Sequence, residues 1–250
     1  MTRLISSELL KLRSTRTAVA LIASVVGLVV LIGLIASITA DFEKDDVQTV
    51  DLLGIAGFAQ VFALILGVLA VTTEFRHGTI TPTLTVAPDR VRLVMAKLVA
   101  HVLAGLLLGV LAVGLTTAIV LVVLSSRGID SGLTNGEITN IVIGLVLATA
   151  LWAALGVGLG ALVRNQVGAI IGSLVYLFVL ENLLNIAAPL RDPVAKFGFG
   201  GLINGLTSTG NSGDDHPPLH QLPAGLVLAA YCAIFLIAGI AMMKKRDITA

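Results

Sequence analysis

Charge is what this 250-residue chain has least of. Lysine, arginine, aspartate and glutamate together make 12% of it, against 56% apolar residues and a mean hydropathy of +1.01. Soluble domains carry about 25% charge. Half that share excludes an ordinary soluble domain and points to an integral membrane protein. The net charge is only +1, so no global charge directs the chain to nucleic acid. Cysteine is nearly missing too. A lone Cys232 in an apolar run excludes an intramolecular disulfide and a cysteine-based zinc site. No Gly-x4-Gly-Lys-Ser/Thr occurs, which leaves no phosphate-cradling loop for ATP. Gly-x-Ser-x-Gly and His-Glu-x-x-His are absent as well, which weighs against an intramembrane enzyme.

What is present is a series of long apolar runs. About 20 residues cross the hydrocarbon core. The runs predict transmembrane helices over 17–39, 52–73, 98–124, 137–163, 167–188 and 224–243. The first is too long for a signal-peptide core of roughly 7–15 residues. Only helices or closed barrels satisfy the backbone in lipid, and the runs lack the alternation of a barrel. The expected fold is therefore an all-α membrane protein with a single six-helix domain over 17–250. Residues 1–16 precede it. There Leu4, Ile5, Leu9 and Leu12 share one helical face, with Arg3, Lys11 and serines elsewhere, as in a helix lying flat at the membrane surface or in a plain basic flank.

Basic residues set the orientation. If both termini face the cytoplasm, the inner side holds Arg3, Lys11, Arg13, Arg16, Arg76, Arg90, Arg92, Lys97, Arg164, Lys244, Lys245 and Arg246. That is twelve of the sixteen lysines and arginines. Lys44, Arg127, Arg191 and Lys196 fall outside. The positive-inside rule favours this arrangement. The outer loops are acidic, with Asp41, Glu43, Asp45, Asp46, Asp51, Asp130, Asp192, Asp214 and Asp215. Three Gly-x3-Gly pairs, Gly105/Gly109, Gly156/Gly160 and Gly168/Gly172, read as close helix packing.

The inner loop 74–97 is punctuated by Gly78, Pro82 and Pro88. Thr81 before Pro82 reads as the cap of a short helix, and Asp89 as the cap of the next one. Within this loop, Glu74-x-Arg76-x-Gly78-Thr79, then Leu84, Pro88-x-Arg90 and Lys97 resemble the cytoplasmic signature of ABC-2 type transporter permeases. The opening Ser7-Glu8-x-x-Lys11-Leu12-Arg13 resembles the start of many short bacterial members. The motif covers about a tenth of the chain, and the topology covers all of it. It departs at Thr85, where such permeases often carry a second leucine, which bears on the packing of the short helix.

The resemblance implies a division of labour. Such a permease forms the path, while separate ATP-binding subunits, two copies, bind ATP and magnesium. A second permease, a copy or a different chain, completes it in the bacterial plasma membrane. On this chain the coupling helix would be roughly 79–87, with Glu74, Arg76, Gly78, Thr79, Thr81, Leu84, Pro88 and Arg90 as coupling residues. Residues 1–16 would be the connecting helix, with Lys11, Arg13 and Arg16. Glu74 is expected to pair with Arg13 or Arg16 and so tie the two elements together. The implied cargo is an amphipathic small molecule, drug, antibiotic or peptide, and no cofactor belongs to this chain itself. An ion-coupled secondary carrier is the alternative, and for it only Glu181 offers an intramembrane charge.

Glu181, Asn182 and Asn185 form a polar patch in the outer part of the fifth run. The patch reads as an outer-gate lining, or as an interfacial acid bonded to Asn185. Gln60 and Thr116/Thr117 are further candidates to face a path, or else bond within their own helices. Residues 194–206 are too short to cross. They read as a half-helix re-entering the outer leaflet or as a surface loop. His101 reads as interfacial and Trp152 as a packing residue. His216-Pro-Pro-Leu-His220 has metal-like spacing only on a helix, and its prolines oppose one.

Overall fold

The computed structural model describes residues 1–40, 49–86, 88–207 and 216–245, with the side chains of Leu84 and Val86 excepted. The expected acidic loop 41–46 with Lys44, and Ala87, Asp214, Asp215 and Arg246, lie outside the described residues, as does the Leu84 side chain.

Among the described residues the chain is helical throughout, without strands. Six segments are long and apolar enough to cross a membrane, and the protein is a multi-pass helical bundle. In chain order, α1 is Thr2–Ser14 and α2 is Arg16–Thr39. The second span, Thr49–Arg76, is built from α3 (Thr49–Gly54), a tight 3-10 turn (Ile55–Gly57) and α4 (Phe58–Arg76). Then come α5 (Ile80–Val86), α6 (Arg90–Arg127) and α7 (Asn135–Val163). The fifth span, Gln166–Ile186, comprises α8 (Gln166–Val175), a π-helical turn (Tyr176–Leu180) and α9 (Glu181–Ile186). Two short helices, α10 (Arg191–Phe197) and α11 (Phe199–Thr207), precede α12 (Gln221–Lys245).

The helix ends follow from local chemistry. Asp89 Oδ1 accepts from the N–H groups of Val91 and Arg92 at 3.0 and 3.1 Å, as its expected cap role requires. α6 therefore starts at Arg90, two turns before the expected residue 98. Its first turns are polar, and nothing between Asp89 and Lys97 breaks a helix. Thr81 is not the cap of the short helix. α5 already begins at Ile80, the Thr83 N–H bonds the Thr79 carbonyl at 3.2 Å, and Pro82 sits inside the first turn, where its missing N–H costs nothing. α7 opens with a reciprocal capping box between Thr134 and Glu137. It closes at Arg164 in the left-handed region, φ 57°.

α7 is the central post. Its apolar stretch is 72% buried, whereas that of Gln166–Ile186 is 11% buried. Glycine allows the close approach. Gly156 and Gly160 face the backbone of Leu64 and Val68 on α4, and Gly105 and Gly109 face Val146, Thr149 and Ala150 on α7. Two of the three glycine pairs are thus used for packing within the chain. Around Gly172 there is open space, and Gly168 meets only its own Asn165 cap.

Candidate functional site

At one end of the bundle the last carbonyls of α12 are satisfied by arginines. Arg164 Nη2 donates to the Met242 carbonyl at 2.7 Å while its guanidinium lies 5.1 Å from the Phe75 ring centre. Arg90 donates to the Met243 carbonyl. Cations at a helix C-terminus are favoured by its dipole. Arg76 donates to Gln166 at 3.3 Å. This end, rich in basic groups, carries the loop with α5. Gly78 turns the chain there with φ +67°, Ile80 is buried, and Thr79, Thr81, Pro82 and Pro88 are exposed.

Directly beneath sits a cluster of four charges from three helices. Lys97 of α6 is 1% exposed, Glu8 of α1 3% and Glu74 of α4 7%. Lys97 Nζ donates to Glu74 Oε1 at 2.6 Å, to the Ala70 carbonyl at 2.9 Å and to Glu8 Oε2 at 3.1 Å. Its three N–H bonds are all used. Lys11 Nζ donates to Glu8 Oε1 at 2.7 Å and Glu74 Oε1 at 2.8 Å. Two carboxylates thus meet two ammonium groups. Desolvation alone would be costly, and such pairs persist only with near-complete bonding.

The cluster corrects one expectation. Glu74 does tie α1 to the membrane domain, but through Lys11 and Lys97, not through Arg13 or Arg16, which are exposed. The reason is the register of α1. Glu8 and Lys11 stand one turn apart on the face turned to α6, while Arg13 lies off that face and Arg16 already belongs to α2. Sequence reasoning missed Glu8 as a partner and placed Lys97 only at the end of the inner loop motif. A signal existed. Glu8 lies four residues from both Leu4 and Leu12, and Lys97 four from both Leu93 and His101. Each is a charge set into a stripe of inward-facing positions. His101 is buried, with Nδ1 2.8 Å from the Lys97 carbonyl oxygen.

Outside the spans, the cluster shifts two titrations. Burial pushes the Glu8 carboxyl up, but the Lys97 charge and the Lys11 hydrogen bond outweigh it and hold the group below its ordinary 4.5. Burial pulls the Lys11 ammonium down, but bonds to Glu74 and Glu8 outweigh it and raise it. A depressed acid stabilises the fold above its unfolded value and loses that contribution as pH falls through the folded value. A raised amine stabilises below its unfolded value and loses it as pH rises through the folded one. Docking of α1 is therefore expected to hold across neutral pH and to weaken as pH falls below the ordinary carboxyl range. Amide hydrogen exchange over residues 2–14 checks this. Protection that stays constant throughout acidification contradicts it.

A second polar constellation lies at the opposite end. A cavity of about 730 Å³ is lined by Gln60 and Val61 from the second span, Trp152 from α7, Glu181, Asn182 and Asn185 from α9, and Asn204 and Thr207 from α11. Gln60 and Glu181 are 2% and 5% exposed. The outer patch expected from sequence is thus brought together, with Gln60 added from another helix. The Glu181 to Asn185 bond does not form. Glu181 Oε1 instead accepts from the Gly200 N–H at 2.6 Å, at the start of α11. A carboxyl is favoured there by the positive end of the helix. Glycine is required alongside, since a Cβ on Gly198 or Gly200 would stand 2.5 or 3.1 Å from that oxygen.

Residues 194–206 are helical rather than a surface loop. They form the end of α10 and most of α11, whose Leu202 and Leu206 are buried with Trp152, Ala224 and Leu228. Phe199 is edge-on to Trp152, Tyr176 and Tyr231 at 5.6 to 5.7 Å. Trp152 packs as expected, and Thr116 bonds its own helix through the Ala112 carbonyl. His216 Nδ1 lies 2.8 Å from Asp192 Oδ1 at the cavity rim.

Three buried side-chain atoms around this cavity have no partner among the described residues: Gln60 Nε2, Trp152 Nε1 and Glu181 Oε2. An unsatisfied buried polar group costs about 1–3 kcal/mol.

Compared with known protein families, the chain matches one described as "Protein of unknown function (DUF2705)" over residues 43–249, most of its length. It belongs to that family. The DUF2705 match takes in all the spans except the first and both polar constellations except for α1's share of the charge cluster. A comparison with curated proteins gives no match.

Proposed function

We propose that this chain is the membrane-spanning permease of an ATP-binding-cassette exporter of the ABC-2 type. Its termini face the cytoplasm of a bacterial cell, and separate ATP-binding subunits drive it. The observation that carries the reading is the buried Glu8–Lys11–Glu74–Lys97 cluster. It fastens a surface helix to the ends of two spans, one turn from the exposed loop bearing α5. A motor pushing on α5 needs such a joint. Without it the loop would yield, and the stroke would not reach the spans. The sequence resemblance at Glu74, Arg76, Gly78, Thr79, Pro88, Arg90 and Lys97 supports the same reading, as does the basic character of this end.

In this scheme α5 seats in a cleft of the ATP-binding subunit, with Thr79 and Thr81 exposed toward it. α1 and α4 move as one lever. The polar cavity at the other end is the outer part of the path, and a second permease completes the conduit. The cargo is an amphipathic small molecule or peptide.

The test combines capture and coupling. A photoreactive residue at Thr79 or Thr81 is expected to crosslink a copurifying ATP-hydrolysing subunit in native membranes. Glu74→Gln should leave insertion and capture intact but lower transport per ATP hydrolysed. Crosslinks only to non-nucleotide-binding proteins, or reaction of residue 79 with an impermeant reagent from outside the cell, would defeat the reading.

A further inference from the structure

The Gln60–Trp152–Glu181 cavity has a recognition chemistry of its own. Its three unpartnered atoms are an amide N–H, an indole N–H and one carboxyl oxygen, all on side chains at least nine-tenths buried. Glu181 has its other oxygen fixed on the Gly200 N–H, so Oε2 is the carboxyl oxygen left without a partner at the cavity wall. Among the described lining residues the acids are Asp51 and Glu181, and no lysine or arginine is present. The walls otherwise include Val61, Leu177 and Ile203. The volume, about 730 Å³, is that of a small-molecule site.

We infer that this cavity binds an organic ammonium group that carries a hydrogen-bond acceptor and an apolar body. The ammonium donates to Glu181 Oε2. The acceptor takes the N–H groups of Gln60 and Trp152. The apolar body lies along Val61, Leu177 and Ile203. One molecule thereby completes all three open bonds, which neither a carboxylate nor a hydrocarbon can do. A soluble amine and the headgroup of phosphatidylethanolamine share this chemistry. Calling the ligand cargo rests on the permease reading, but binding itself does not.

Trp152 is the protein's single tryptophan and lines both this cavity and an apolar pocket of about 420 Å³, so its fluorescence reports binding at either, and the uncharged control separates the two. The full chain in phosphatidylcholine nanodiscs would be titrated with 2-phenoxyethylamine, with 2-phenoxyethanol and phenoxyacetate as matched controls. The amine is expected to change the Trp152 emission saturably, and the alcohol and carboxylate are not. Glu181→Gln should weaken the amine by at least about tenfold, the share of one charge-assisted bond. Gln60→Leu, which leaves the α11 cap untouched, should weaken it several-fold and carries the test if the Glu181 variant does not fold. Discs containing phosphatidylethanolamine separate the sources. Competition with the amine marks the headgroup as the occupant, and its absence marks a soluble amine, and either result supports the site. Equal binding of all three probes, no saturable change, or wild-type affinity in both variants overturns it. No ATP-binding subunit is needed, so this result and the permease test fail separately.

Discussion

Replacing Lys97 with methionine is expected to release α1 and cost the fold about 3–5 kcal/mol, the usual penalty for removing one partner of a buried ion pair. Methionine fills similar space, so the loss is electrical. The Glu74 and Glu8 carboxylates and the Ala70 carbonyl all lose their bond to Lys97 Nζ. Lys11 remains, but it is half exposed and a poorer counter-charge. The measurement is thermal unfolding in detergent, paired with hydrogen exchange over α1. The double variant Glu74→Gln/Lys97→Met should recover part of the loss, because removing both charges leaves less uncompensated. A Lys97→Met protein with wild-type melting and a protected α1 would show that the cluster bears no weight.

Gly156→Ala is expected to destabilise by about 1–3 kcal/mol or more, although alanine is the better helix former by about 1 kcal/mol. The added Cβ collides with the Leu64 carbonyl oxygen and stands 3.0 Å from the Gly67 Cα. Both obstacles are backbone, so no rotamer change relieves them, and α4 must move off α7. Gly172→Ala is the matched control. Nothing lies within 4 Å of its Cβ, so the propensity gain should appear unopposed in the isolated chain. Melting temperatures decide, and Trp152, one turn from Gly156, should change its emission only in the first variant. A Gly156→Ala protein as stable as Gly172→Ala would mean that the α4–α7 contact is looser than described.

The spans were legible because hydrocarbon imposes a length and forbids charge. Helix ends were legible where a side chain caps them, as at Asp89. They were misplaced at α6 and α5, where a polar helix continues past the apolar run or begins before the proline. Which face of each span turns inward was not legible, since lipid is as apolar as a core. Glycine gave part of it, at Gly156 and Gly105 but not at Gly172. Glu74 and Glu181 stood out as charges in apolar surroundings. Their partners did not, because Lys97 is 23 residues from Glu74 and the Gly200 N–H is 19 from Glu181. Sequence spacing says nothing about contacts that packing alone creates.

The π-helical turn in the fifth span decides what that helix presents. Its five residues, Tyr176–Leu180, close with the Glu181 N–H bonding the Tyr176 carbonyl, one residue beyond the usual reach. A single surplus residue offsets everything after it by about 100° around the axis. The stretch from Gln166 to Val175 and the stretch from Glu181 to Ile186 therefore keep separate angular registers. Trimming that surplus would swing the carboxyl group away from Gly200 and strip α11 of its anchor. The polar end of this span owes its inward aim to one inserted peptide unit.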